Sequence, residues 1–223
     1  MKFFDDKSKQ ELHWYNRNYF YIGIIFIVIL NISLFGIFGK GWSRDIFDFS
    51  ANYKNFKVLN FFNGLLGSID HTSWQHVLTN MLCFSIVGLY LERKYGTVNF
   101  LLLVVYLSFF SRMANMLVLQ HYSSFSHGFS ACNYALYAIM FIDYLFSFCK
   151  RRRNKTNIVL GLLVIVFIYV CMCFKGGTSG FGFELWPYDL IRNSWHWSGF
   201  LTGIMTGMFI EILRLNFMKK YNK

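Results

Sequence analysis

Polar side chains that lie inside apolar stretches are the residues of this chain that could carry chemistry. Ser130 lies near the start of one apolar stretch, and His196 lies near the start of another, 66 positions later. A serine beside a histidine pairs a nucleophile with a general base. His76 and Asn80 are four positions apart, so on a helix they share a face from which both could donate to a developing oxyanion. This set predicts attack on a carbonyl, provided that the fold brings the three segments together.

The composition indicates that these segments belong to a membrane protein. Of 223 residues, 55% are hydrophobic and 15% are charged, and the mean hydropathy is +0.37. A soluble domain has about 25% charged residues. The formal net charge of +11 is typical of basic cytoplasmic loops in such a protein. We therefore expect the lipid bilayer as a partner and no nucleic acid.

Six apolar runs predict an all-α polytopic membrane protein with six transmembrane helices, because runs of about 20 residues cross a hydrocarbon core roughly 30 Å thick. The membrane domain is expected over 19–215, between a basic extension at 1–18 and a basic tail at 216–223. The predicted spans are Tyr19–Phe38, Ser73–Leu91, Val98–Leu119, Phe129–Phe148, Ile158–Phe174 and Trp195–Leu213.

The uneven distribution of Lys and Arg predicts the orientation. Of 22 such residues, 15 lie on the side of the two termini, six lie on the other side, and Arg112 lies inside the third span. The positive-inside rule therefore predicts that both termini are cytoplasmic. The loops 39–72 and 175–194 then face outward, and the aromatic-rich first loop is expected to lie in the outer interface as short amphipathic helices.

The polar set falls at the starts of three predicted spans. Thr72 with Gln75 three positions later is typical of a capping box at the start of the second span. Gly128 allows a tight entry into the fourth span, and Tyr134 would lie one turn below Ser130 on the same face. Taken singly, each signal is weak, because a membrane serine usually bonds its own backbone and polar pairs often satisfy helix ends.

A stripe of small residues supplies the element that would bring Ser130 and His196 together. The sixth span carries glycines at intervals of four, and the fourth span carries alanines that could face them: Gly199, Gly203 and Gly207, and Ala131, Ala135 and Ala138. Such stripes let two helices approach closely. The stripe could also pack on another helix. If it packs on the fourth span, Ser130 and His196 lie at the same depth.

No carboxylate suggests itself as a third catalytic member. Asp143 is 13 residues beyond Ser130, which on one helix is roughly 20 Å. Glu92 is similarly remote from His76. Glu184 and Asp189 lie in a loop, where distance does not exclude them. A Ser–His dyad is the simpler interpretation.

Four segments share their order and spacing with those of a known family. They are His71-Thr-Ser-Trp-Gln-His76-Val-Leu-Thr-Asn80-Met81, Gly88-x-x-x-Glu92-x-x-x-Gly96, Gly128-Phe-Ser130-Ala131 followed by Tyr134, and His196-x-x-Gly199-x-x-x-Gly203. Over about residues 71–207, the chain resembles the rhomboid family of intramembrane serine proteases in its bacterial six-span form.

The resemblance implies a role for each matching position. Ser130 matches the nucleophile and His196 the general base, while His76 and Asn80 match the side chains of the oxyanion hole. Three further groups match supporting positions: Gly128 before the nucleophile, Tyr134 packed on the catalytic imidazole, and Gly199 with Gly203 on the sixth helix.

The same resemblance implies the function. It is a serine endopeptidase that hydrolyses peptide bonds of single-span transmembrane substrates near the outer face, without a cofactor or a metal, in a bacterial plasma membrane. Phe167, Phe174 and the loop 176–190 are then expected to form a lateral gate and cap.

Four features depart from the family pattern. Ala131 stands where a glycine usually follows the nucleophile, and the bulky Trp195 precedes the histidine. By spacing, Phe62 and Asn63 take the place of a Trp-Arg pair in the first outer loop. Arg112 inside a span is unusual and is expected to snorkel or to bond a neighbouring carbonyl.

Two other functions compete with this interpretation. A catalytically inactive relative that binds membrane helices typically lacks the serine or the histidine, and both are present here. A metal transporter would use the ligands of the outer side: His71, His76, His121, His127, His196, Cys171 and Cys173. Such ligands suit transition metals, but no conventional zinc motif is present. Sensitivity to a chelator would separate a transporter from a serine enzyme.

Overall fold

The computed structural model describes residues 21–40, 66–118, 128–149 and 194–221, and also 159, 162–163, 166–167, 169–170, 173–175 and 182–183. Within these residues the structure has five long helices and one two-stranded hairpin. The helices are α1 Ile22–Phe38, α2 Trp74–Tyr95, α3 Thr97–Val118, α4 Ser130–Cys149 and α5 Ser194–Tyr221. A single helical turn covers 66–69.

Helix α4 is the centre of the bundle. Every residue from Ala131 to Met140 is buried, which suits a segment that is apolar on all sides. Helix α5 packs most extensively on α4 and also on α3, while α2 and α3 cover the other faces of α4 and α1 lies on α2. The site residues on α2, α4 and α5 therefore lie on three helices that share one core.

Among the described residues, two helices are long and apolar enough to cross a membrane by length and composition, over Thr97–Asn115 and Trp195–Phe217, and α1 is a shorter apolar helix. The all-helical class is thus confirmed for the described residues, apart from the short hairpin, and the count of six spans stays a prediction. Helix α5 continues through 216–221 of the predicted tail. The extension 1–18 and the predicted interfacial helices of the first outer loop, 41–65, lie outside the described residues.

The described residues of the predicted fifth span, between 159 and 173, are helical. Phe174 is different, because it begins β1 (Phe174–Lys175), which pairs antiparallel with β2 (Gly182–Phe183). A short hairpin therefore leads from this span into the predicted cap loop. The remainder of 175–194 lies outside the described residues up to the start of α5.

Buried charges stabilise one end of the bundle. We call it the far end, and it is marked by Glu92, Lys94 and Asp143. The Glu92 carboxylate accepts hydrogen bonds from the backbone N–H groups of Gly23 and Ile24 at 2.8 and 2.9 Å, and from the Thr97 hydroxyl at 2.8 Å. Helix α1 has no side-chain cap of its own. Glu92 therefore satisfies the exposed amides at the start of α1 from the neighbouring helix.

Asp143 of α4 is the second buried carboxylate of the far end. It forms an ion pair with Lys94 of α2 and accepts a hydrogen bond from the Tyr90 hydroxyl. On α5, Arg214 lies 3.9 Å from Asp143 and 3.4 Å from Glu211. Charges from three helices compensate one another here, so the buried carboxylates of Asp143 and Glu211 each have a cation beside them.

Candidate active site

A sharp turn at Gly128 delivers Ser130 to the first position of α4. Gly128 has φ +106°, a conformation that L side chains rarely adopt. Its N–H donates to the Gly67 carbonyl at 3.0 Å, and Phe129 is buried with its ring edge-on to Phe84. The turn is thus anchored on both sides, which fixes the place where the Ser130 hydroxyl emerges.

Close approach of α5 to α4 places His196 beside that hydroxyl. A Cβ added to Gly199 would overlap the backbone of Ala131, and one added to Gly203 would overlap the backbone of Ala135. Only glycine permits two helices to lie this close. The predicted packing of the glycine stripe on the fourth span, and not on another helix, is confirmed for Ala131 and Ala135. At Gly207 the nearest atoms belong to Ile142 and Ile139 and not to the predicted Ala138.

The structure brings Ser130 and His196 into hydrogen-bond contact across 66 residues of chain. His196 Nε2 lies 2.7 Å from Ser130 Oγ. The imidazole is buried and lies against the Tyr134 ring, with centroids 4.6 Å apart and planes 30° from parallel. Ser130 is half-buried. A nucleophile in contact with a base of fixed orientation is the arrangement that acyl transfer requires.

His76 lies in the first turn of α2, but the cap of this helix differs from the prediction. Ser73, not Thr72, is the N-cap: its backbone is extended, and its hydroxyl accepts from the His76 N–H at 3.1 Å. The Thr72–Gln75 capping box is therefore wrong by one position. Thr72 Oγ1 instead lies 3.1 Å from His76 Nδ1, and the His71 ring packs edge-on against His76 at 5.0 Å.

The nitrogens of His76 and Asn80 converge on the Gly128 turn. A Cβ built on Gly128 would lie 2.8 Å from His76 Nε2 and 3.4 Å from Asn80 Nδ2. One point beside the Ser130 turn is therefore within reach of both nitrogens. Asn80 is buried, and its Nδ2 makes no hydrogen bond to any part of the chain that the structure describes. This donor is available to a ligand atom.

Sequence reasoning missed Asn133, which contacts Asn80 from α4. Its Nδ2 donates to the Asn80 backbone carbonyl at 3.0 Å and to Asn80 Oδ1 at 3.3 Å. An asparagine one position before Tyr134, within an otherwise apolar stretch, was the available signal.

Two of the departures from the family pattern contact each other. The Arg112 guanidinium of α3 lies over the Trp195 ring at 5.0 Å, and both side chains are buried. This cation–π contact was not expected, and the expectation that Arg112 snorkels or bonds a neighbouring carbonyl stays a prediction. The bulky residue before the histidine therefore has a partner on the adjacent helix.

The described carboxylates of the spans lie at the far end, where Asp143 pairs with Lys94 and Glu92 accepts from the Gly23 N–H. Glu184 and Asp189 are outside the described residues. Among the described residues, no group of three or more His, Cys, Asp and Glu side chains could hold a metal ion. His121, His127 and Cys171 of the competing metal interpretation also fall outside the described residues.

The described residues thus form a helical bundle with apolar helices and a serine–histidine pair at one end. The family model of the Rhomboid domain matches residues 64–217, more than half of the chain. The chain therefore belongs to the rhomboid family, whose proteases are integral membrane serine enzymes that act on transmembrane substrates within the bilayer. A comparison with curated proteins finds no match.

Proposed function

We propose that this protein is an active intramembrane serine endopeptidase that uses Ser130 and His196 as a catalytic dyad. The observation that carries the proposal is the 2.7 Å separation between His196 Nε2 and Ser130 Oγ. At this distance the imidazole accepts the hydroxyl proton as the oxygen attacks. Inactive members of the family exist, and the presence of both residues in contact favours the active form.

In the first half of the proposed reaction, Ser130 Oγ forms a bond to the scissile carbonyl carbon and its proton passes to His196 Nε2. The carbonyl oxygen becomes an oxyanion held by His76, Asn80 and the Ser130 amide. His196 then gives the proton to the leaving amine as the peptide C–N bond breaks. The convergence of His76 Nε2 and Asn80 Nδ2 beside Gly128 supports this assignment.

In the second half, water attacks the acyl carbon and gives its proton to His196. The ester bond to Ser130 Oγ then breaks, His196 returns the proton to that oxygen, and the carboxyl product leaves. The dyad is at the start of two helices, so we place it shallowly below the outer surface, where water reaches it. The amides of a transmembrane helix are bonded internally, so the substrate must unwind before cleavage. Helix-breaking residues near its outer end therefore favour the reaction.

The proposal includes the orientation and the route of the substrate. Both termini are cytoplasmic in a bacterial plasma membrane, and the substrates are single-span proteins. The segment with Phe167 and the loop 176–190 form the lateral gate and cap. The domain division at 18 and 215 and the absence of a cofactor belong to the same proposal.

Reconstitution of the full chain in lipid vesicles with a panel of single-span proteins tests it. We expect wild type to cleave at least one substrate near its outer end, and Ser130→Ala to cleave none. EDTA should leave the rate unchanged. Helix binding without cleavage by wild type would indicate an inactive relative. Inhibition by EDTA that zinc reverses would indicate a metal protein instead.

A further inference from the structure

We infer that Asn133 is a positioning residue that sets the orientation of the Asn80 side-chain amide in the oxyanion hole. The inference rests on the proposed function, since it concerns how the proposed site holds transition-state charge. Asn133 lies on α4, three positions after Ser130, and is 3% exposed. Its Nδ2 is 3.0 Å from the Asn80 carbonyl oxygen and 3.3 Å from Asn80 Oδ1.

The chemistry of these contacts determines which way the Asn80 amide points. A backbone carbonyl only accepts, so it selects the NH₂ group of Asn133 as its partner. The second hydrogen of that NH₂ in turn selects the side-chain oxygen of Asn80. The Asn80 NH₂ must then point away from Asn133. It faces the Gly128 turn, 3.4 Å from the position that a Gly128 Cβ would occupy.

The orientation matters because only one end of an asparagine amide can stabilise an oxyanion. With the amide reversed, Asn80 would present an oxygen to the developing negative charge and repel it. Preorganised donors are effective because they need no rotation as the charge forms. Asn133 therefore acts on catalysis through Asn80, without touching the substrate itself.

Packing alone does not account for an asparagine at this position. Asn133 Oδ1 is buried and accepts no hydrogen bond from the described residues. An unpaired buried amide oxygen costs free energy that an apolar side chain of the same size would not. Position 133 is surrounded by buried neighbours on the central helix, where leucine would suit the core. A leucine should therefore fold well and catalyse poorly.

The experiment compares Asn133→Leu with a matched control, Asn31→Leu. Asn31 is also buried in a helix, donates its Nδ2 to a backbone carbonyl at 2.9 Å and has an Oδ1 without a partner among the described residues, but it lies on α1. With a fluorogenic single-span peptide in vesicles, Asn133→Leu should lower kcat by about ten- to a hundredfold and leave KM unchanged. Asn31→Leu should leave kcat unchanged.

A double-mutant cycle separates positioning from a general structural role. In an Asn80→Ala background, Asn133→Leu should cause no further loss of kcat, because the group that it orients is gone. An equal loss in both backgrounds, or full activity in Asn133→Leu, would overturn the inference. Asn133→Ala serves the same cycle if leucine does not fold. Absence of Ser130-dependent cleavage by wild type would instead refute the proposed function.

Discussion

The two ends of the bundle use buried polar groups differently, although they are built on the same helices. The site end is marked by Ser130, His196 and His76, and the far end by Glu92, Lys94 and Asp143. At the far end Glu92 accepts three hydrogen bonds and Asp143 is paired with a cation. At the site end the Asn80 Nδ2 donor is left uncommitted by the described residues.

The comparison indicates that satisfied groups hold the helices together, while an uncommitted donor beside a nucleophile is held ready for charge that develops in a reaction. Changes at the far end should therefore affect stability and leave the turnover of folded protein intact. Changes at the site end should do the reverse. Helix α5 contributes to both ends, so it is where the two effects should meet.

The largest effect is expected from Ser130→Ala and His196→Ala. Each should lower kcat by at least about 10⁴-fold, because losing one member of a coupled nucleophile and base costs nearly as much as losing both. The melting temperature in detergent should change little, since neither side chain supports the far end. Cleavage of a reconstituted substrate measures the loss. Substantial turnover by either variant would exclude the dyad.

The next effect is expected from Asn80→Ala, which removes one proposed oxyanion donor. We expect kcat to fall by about 10²–10³-fold, and His76→Ala to be similar or worse because the imidazole also shapes the cavity. Labelling of Ser130 by a small serine-reactive probe should survive in Asn80→Ala, since nucleophile and base remain. Loss of labelling in a folded variant would show that Asn80 acts on the dyad itself.

A smaller effect, on stability alone, is expected at the far end from Glu92→Gln. A neutral amide presents one accepting oxygen, so it cannot serve the N–H groups of Gly23 and Ile24 as both carboxylate oxygens do. The free energy of unfolding should fall by about 1.5–3 kcal/mol, measured by denaturant titration in micelles. The kcat of the folded fraction should be unchanged. A loss of kcat without a loss of stability would contradict the proposal that the far end supports stability and not catalysis.

Most of the correct predictions came from the spacing of residues within single helices. The glycines at intervals of four and the alanines opposite them favoured packing of α5 on α4, which would bring His196 to Ser130, because both patterns follow directly from helix geometry; the spacing alone left another partner open. The family segments supplied the proposed roles of His76 and Asn80. The boundaries of α2 to α4 fell within four residues of the predicted spans, and the longer α5 shows that apolarity does not mark where a helix ends.

What escaped prediction depends on contacts between distant helices. Glu92 satisfies α1 from another helix, and Asn133 meets Asn80 across 53 positions. No periodicity encodes such a pair. The cap of α2 was missed for a local reason: Thr72 and Ser73 are both good caps by residue type, and the extended backbone at Ser73 decides between them. Arg112 and Trp195 were each conspicuous alone, but only the fold makes them partners.

A combined effect on stability and activity is expected where the two ends are joined, along the glycine stripe of α5. Gly199→Leu or Gly203→Leu should lower stability by about 1–3 kcal/mol through overpacking, and should also lower activity because α5 carries His196. The stripe itself supplies a graded control. A Cβ at Gly203 would overlap the backbone of Ala135, which cannot move aside, whereas one at Gly207 would meet the Ile142 side chain at 3.0 Å. Gly203→Ala should therefore reduce both melting temperature and cleavage rate more than Gly207→Ala. If Gly203→Leu left both quantities unchanged, α5 would not need this close contact to hold His196 at Ser130.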